Sequence, residues 1–174
     1  MIIALHGQSS SGKTTIANAL RHRLGNCLVR HCGELVKARA NGLGVSLNDL
    51  PDEEHRTIDV DTCVWSEAQT GIAIVEGRYL HWVLTMTCAD VQTIEIFCNE
   101  AVRVQRWTNR LMRELGSNAL SDMDAADYNF TATMYHGFAP LVPRLRVDTT
   151  SATVDECVTQ ILNGLELKAP TCGT

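Results

Sequence analysis

The chain has no C-x-x-C pair and no metal-finger spacing among its seven cysteines (Cys27, Cys32, Cys63, Cys88, Cys98, Cys157, Cys172), so nothing in them is arranged to ligate zinc. Most lie in apolar runs, where a reduced thiol behaves as a small hydrophobe, which fits a reducing cytoplasm. Of the seven, Cys32 is the one to follow. Nothing approaches the ~18 uninterrupted apolar residues of a membrane span, and Ile2–Leu5 runs straight into Gly7 with no basic segment ahead of a long apolar stretch. The expectation is a cytoplasmic protein, neither exported nor membrane-bound. An excess of positive charge is also missing. The formal net charge is -5 and the pI about 5.6, which gives no basic field to track a phosphate backbone and argues against nucleic acid as a partner.

What is present is a globular balance. Hydrophobic residues make up 45% of 174 and charged residues 20%, enough apolar chain to bury one core and too little for two. A single domain over residues 1–174 is expected, with no internal repeat and a frayed tail at Lys168–Thr174.

Apolar runs and helical periodicities alternate along the chain. Strands are predicted at the N-terminus, at Cys27–Arg30, Ile72–Glu76, Thr93–Cys98 and Leu145–Asp148. The helices predicted between and after them start after the first glycine-rich turn and at about Gly33, Asp52, Ala101, Asp122 and Thr153. Strands that are nearly all apolar, separated by helices, point to a parallel sheet covered on both faces.

The stretch Gly7-Gln8-Ser9-Ser10-Ser11-Gly12-Lys13-Thr14, followed by Thr15, fits G-x-x-x-x-G-K-[ST] throughout. About one random chain of this length in two hundred would match it by composition, and here it also falls between a predicted strand and a predicted helix. Glycines let the backbone wrap an anion, successive N–H groups point inward, and the helix directs its positive end at the same place. Lys13 then reaches the β and γ phosphates of ATP, and the Thr14 hydroxyl ligates Mg²⁺. The guanine-reading N-K-x-D of GTPases does not occur, and the chain is small for a motor, which leaves a compact kinase.

Beyond this cradle, His31-Cys32-Gly33-Glu34-Leu35-Val36-Lys37, His55-Arg56-Thr57-Ile58-Asp59, Ile74-Val75-Glu76-Gly77-Arg78, Val102–Arg110 and Val147–Thr150 together resemble the cytidylate kinases, especially their short archaeal-type form. The resemblance spans nearly the whole chain in order. It implies an α/β three-layer P-loop NTPase fold with a five-stranded parallel sheet, a helical acceptor-binding insertion over about 33–70 and a lid over about 111–128, transferring phosphoryl from ATP with Mg²⁺ to CMP or dCMP. Arg78, at the carboxyl end of a buried strand, resembles the arginine that grips the acceptor phosphate. Gly33 and Lys37 border the acceptor, Arg56 and Asp59 line its base pocket, Arg106 and Arg110 open the lid toward the donor phosphates, and Asp148 with Thr149 borders the donor base. Glu76 either holds Mg²⁺ through water or pairs with Lys13 or Arg78.

The chain departs from that family twice. Lys37 stands where an arginine is usual, exchanging a bidentate fork for a point charge. The lid segment 116–128 carries three aspartates and no arginine or lysine, so an acidic lid replaces a cationic one. An acceptor other than CMP, such as a modified nucleotide or a small hydroxylated metabolite, or a regulatory module that only binds ATP, fits these departures.

Overall fold

Side chains alternate between the two faces of a β-strand, so a strand apolar at every position must be covered twice, and this sequence contains such strands. In the computed structural model, which describes residues 1–77, 80, 90–115 and 143–167, β1 (Ile2–His6) is buried at every residue. Around it stand β2 (Cys27–His31), β3 (Ile72–Gly77), β4 (Val91–Phe97) and β5 (Leu145–Asp148), all parallel, in the order β2-β3-β1-β4-β5.

The helices are α1 (Lys13–Leu24), α2 (Cys32–Leu43), α3 (Asp52–Glu67), α4 (Glu100–Leu115) and α5 (Val154–Gly164). One face of the sheet presents Ile3, Leu5, Ile74, Ile94, Ile96 and Val147 to Ile16, Ala17, Leu20 and Leu24 of α1 and to Cys157, Val158, Ile161 and Leu162 of α5. The helical spacing of those residues is what carries them onto one stripe. The opposite face presents Ile2, Ala4, Ala73 and Val75 to Cys32, Cys63 and Leu80. Local signals set the helix ends. Gly25 closes α1 by donating its N–H to Arg21 O at 3.0 Å, and Thr153 with Glu156 forms a capping box on α5.

The strand order places the functional edge. From β1 the chain crosses over β3 to reach β2, returns to β3, and then passes to the other side of β1 for β4 and β5. Connections therefore leave in opposite directions at β1 and β3, and open parallel sheets carry ligands at the carboxyl ends of such a pair. The loop Gly7–Gly12 begins there.

The fold class and the five strands are as expected, with boundaries moved by a few residues. The predicted helix near 122–135 and the lid segment 116–128 lie outside the described residues, as does the tail 168–174. Among the described residues no helix is long and apolar enough to cross a membrane. Cys27, Cys32, Cys63, Cys98 and Cys157 are free, and all but Cys98 are buried; Cys88 and Cys172 lie outside the described residues.

Gly7 turns out of β1 at φ 144°, and a Cβ there would stand 2.1 Å from the carbonyl oxygen of Ile96. The cradle is thus seated against the backbone of β4 at a distance only glycine permits. Gly7→Ala is expected to destabilise the fold by about 3 kcal/mol, read as a lowered urea midpoint at unchanged m-value; an unchanged midpoint would contradict this seating.

Candidate active site

Four features shape the loop between β1 and α1. Gly7 and Gly12 have positive φ, Ser10 sits at φ 61°, a left-handed conformation uncommon for a residue with a Cβ, and Gly12 stands at the N-cap of α1 with no side-chain cap. The first N–H groups of α1 are thereby left for an anion. Lys13 is 8% exposed, and its Nζ donates to Gln8 O at 2.7 Å, which holds the ammonium at the mouth of the loop. Ser11 Oγ is buried, with no hydrogen-bond partner among the described residues.

Glu76 lies at the end of β3, level with Leu5 of β1 and His31 of β2. Its Oε1 accepts from Thr14 Oγ1 at 3.1 Å and meets His31 Nδ1 at 3.1 Å. Burial alone would raise the Glu76 carboxyl, but the His31 hydrogen bond, the Lys13 charge and the Thr14 hydroxyl together hold it below the usual carboxylate range. His31 is raised in turn, first by its hydrogen bond to Glu76. Of the two readings for Glu76, the structure shows contacts to Thr14 and His31, with Lys13 acting through its charge. Arg78 lies outside the described residues.

On the other flank, Thr149 follows β5 and is 5% exposed. Its Oγ1 donates to Ser11 O at 2.7 Å and accepts from an Arg106 guanidinium nitrogen at 2.8 Å, while a second Arg106 nitrogen donates to Thr149 O at 2.6 Å. Arg110 lies 4.5 Å over the ring of Trp107 and reaches Ser9 Oγ at 3.4 Å. Arg106 and Arg110 thus lie against the cradle. Asp148 accepts from Thr150 N at 2.8 Å and shapes the turn after β5.

The remaining candidates stand across β3. Gly33 at the start of α2 is exposed, with no atom within 4 Å of where a Cβ would lie, and Lys37 is exposed one turn further along. On α3, Asp59 is half-buried; the Arg56 side chain is outside the described residues. Cys32 Sγ lies 3.6 Å from Thr62 Oγ1, and burial pushes its thiol up to about 12, which makes it a packing residue and not a nucleophile. One participant, His31, is a histidine that no spacing singles out, and the contact by which the expected Thr149 clamps the cradle runs across 138 residues of sequence.

Comparison with known proteins gives the family and the fold. The family model described as chloramphenicol phosphotransferase-like protein matches residues 1–166. No curated protein matches the chain by sequence. Among solved structures, the tunicamycin resistance protein of Deinococcus radiodurans superposes with a TM-score of 0.67 at 18% identity, covering 97% of this chain and 96% of that one. Shikimate kinase from Aquifex aeolicus gives 0.60 at 21% over 95% and 96%, and a gluconokinase from Sinorhizobium meliloti 1021 gives 0.63 at 16% over 94% and 90%. The likeness is to P-loop kinases as expected, but the matching family is not that of the cytidylate kinases. The Gly33-Glu34 and Glu76-Gly77 segments that carried that resemblance sit at the ends of β2 and β3, where this architecture builds its site whatever the acceptor.

Two outcomes are expected of this geometry. Thr149→Val removes the donor to Ser11 O and the acceptor for Arg106, and should cost about 2 kcal/mol in urea unfolding while raising the ATP concentration needed for half-saturation; full retention of both would contradict the clamp. His31 is raised above its ordinary 6.5, so its stabilising charge is fully present below about pH 6.5 and is lost as pH rises through the raised value. Glu76, being lowered, contributes above its ordinary 4.5. The stability gap between wild type and His31→Ala should therefore be widest between these limits and narrow at alkaline pH; a gap that does not change with pH would contradict the pair.

Proposed function

We propose that this chain, which belongs to the chloramphenicol phosphotransferase-like family, transfers the γ-phosphoryl group of ATP to a hydroxyl of a small molecule. The observation that carries this reading is the meeting of Lys13, Thr14 and Glu76 at the carboxyl ends of β1 and β3, inside a loop shaped for phosphate. Gly7–Thr15 binds the ATP phosphates, with Lys13 on the β and γ groups. Thr14 Oγ1 and Glu76 are hard oxygen donors side by side. They fit Mg²⁺, which takes few protein ligands and keeps water and phosphate oxygens as the rest. When bound, the ion supplies neutralisation of phosphate charge. Arg106 and Arg110 add positive charge on the donor flank, and Asp148 with Thr149 borders the donor base. Gly33, Lys37, Arg56, Asp59 and Arg78 face or border the acceptor.

A small hydroxylated acceptor is preferred to CMP because the family model that matches is chloramphenicol phosphotransferase-like and not that of the cytidylate kinases. The CMP reading rests on the motif resemblance and is tested in the same assay.

ADP formation from Mg·ATP would be followed with chloramphenicol, shikimate, gluconate and simple diols beside CMP and dCMP, with Lys13→Ala as the blank. The expected result is turnover with at least one alcohol, little with either nucleotide, and a loss of about 10³-fold in Lys13→Ala. Rapid turnover of CMP with none of any alcohol would overturn the proposed acceptor class.

A further inference from the structure

We propose that Arg106 is a positioning residue, whose charge reaches the bound phosphate through the Thr149 hydroxyl and the Ser11–Gly12 peptide without contact between guanidinium and phosphate. The inference rests on the ATP-binding part of the reading above and names what this arginine does within it.

One terminal nitrogen of Arg106 donates to Thr149 Oγ1 at 2.8 Å and the other to Thr149 O at 2.6 Å. Its hydrogen bonds to described residues thus go to a single threonine, and a two-point grip of this kind fixes the plane of the guanidinium. Gly12 leaves the room for it. A Cβ there would stand 3.6 Å from Thr149 Oγ1 and 3.8 Å from an Arg106 nitrogen. A cation this close to the N-terminus of α1 opposes the helix dipole until an anion binds, so the bonds to Thr149 are what hold it in place.

The Thr149 hydroxyl has one proton, and two carbonyl oxygens lie within its reach, Ser11 O at 2.7 Å and Phe97 O at 3.2 Å. Phe97 O already accepts the Thr149 N–H at 2.8 Å. With Arg106 on the hydroxyl's lone pair, the proton goes to the nearer oxygen, Ser11 O. A hydroxyl that accepts from a cation is a stronger donor, because hydrogen bonds in a chain polarise one another. Thr149 is buried, so water does not screen the chain.

Ser11 C=O and Gly12 N–H belong to one planar, trans peptide unit and point to opposite sides of it. Holding the carbonyl toward Thr149 therefore turns the Gly12 N–H the other way, to the side of the loop that receives the anion. Drawing electron density onto that carbonyl also makes the N–H of the same peptide a stronger donor. The guanidinium, the hydroxyl and the peptide form one chain from α4 to the cradle, and breaking it anywhere has the same consequence for phosphate.

Binding of Mg·ADP would be measured by calorimetry, and the Gly12 amide proton followed by NMR, in the full chain, Arg106→Ala, Thr149→Val, the double variant and Thr149→Ser. Arg106→Ala and Thr149→Val are each expected to weaken Mg·ADP about tenfold. The double variant should bind no more weakly than the weaker single, since both changes break the same chain. In the ADP complex the Gly12 amide proton should move upfield in both single variants, and Thr149→Ser, which keeps the hydroxyl, should recover affinity and shift together. Arg106 is half-buried, so its truncation opens no core cavity, and an unmoved amide of Gly25 at the far end of α1 checks the fold. If Thr149→Val fails to fold, Arg106→Ala and Thr149→Ser still decide through the Gly12 shift. Losses that multiply to about a hundredfold in the double variant, or a Gly12 amide that Arg106→Ala leaves in place, overturn the relay and put the guanidinium on the phosphate itself. The predicted cycle with no alcohol of the panel phosphorylated supports the relay and overturns the transfer reading. No Mg·ADP binding by wild type overturns both.

Discussion

A loop that aims its N–H groups inward at an anion must turn its carbonyls outward, and those carbonyls need donors of their own. This constraint governs the site. Gln8 O is met by the Lys13 ammonium and Ser11 O by the Thr149 hydroxyl, so the same residues that face phosphate chemistry also hold the backbone in its anion-binding form. Thr149 is fixed in turn by Arg106 and by Phe97 O, to which its N–H donates at 2.8 Å, and Gly7 is pressed against Ile96. Three strands and two helices contribute to positioning six residues of loop.

The two faces of the sheet present different side chains at the carboxyl edge. His31 and Glu76 point to the α1 face, where Thr14 completes an oxygen-rich corner beside Lys13. Arg30 and Cys32 point to the other face, where α3 supplies Trp65 and Thr62. Despite its burial, Glu76 is held below the usual carboxylate range by its hydrogen bond to His31, the Lys13 charge and the Thr14 hydroxyl, whereas burial raises the carboxyl of Asp59 on α3.

The cradle was fully legible in the sequence, because its chemistry demands residue types at fixed spacing. So were the parallel sheet, from the unbroken apolar runs of β1 and β3, and the start of the last helix near Thr153. His31 was not legible, since its role depends on the lateral register of β2 against β3, which no local pattern encodes. Thr149 was placed beside the donor through family resemblance, yet its bond to Ser11 is a tertiary contact. The resemblance named CMP as the acceptor, whereas the family model that matches is chloramphenicol phosphotransferase-like. Motifs at strand ends report where an architecture places a ligand and not which ligand it is.

The class of bond formed separates the account from its rival most directly. A ³¹P spectrum of the product mixture from Mg·ATP and the acceptor panel distinguishes a phosphate monoester from a phosphoanhydride without any coupled enzyme. A new monoester resonance growing with ADP is the result predicted here. A new anhydride pair from CMP or dCMP, with no monoester from any alcohol, would contradict it.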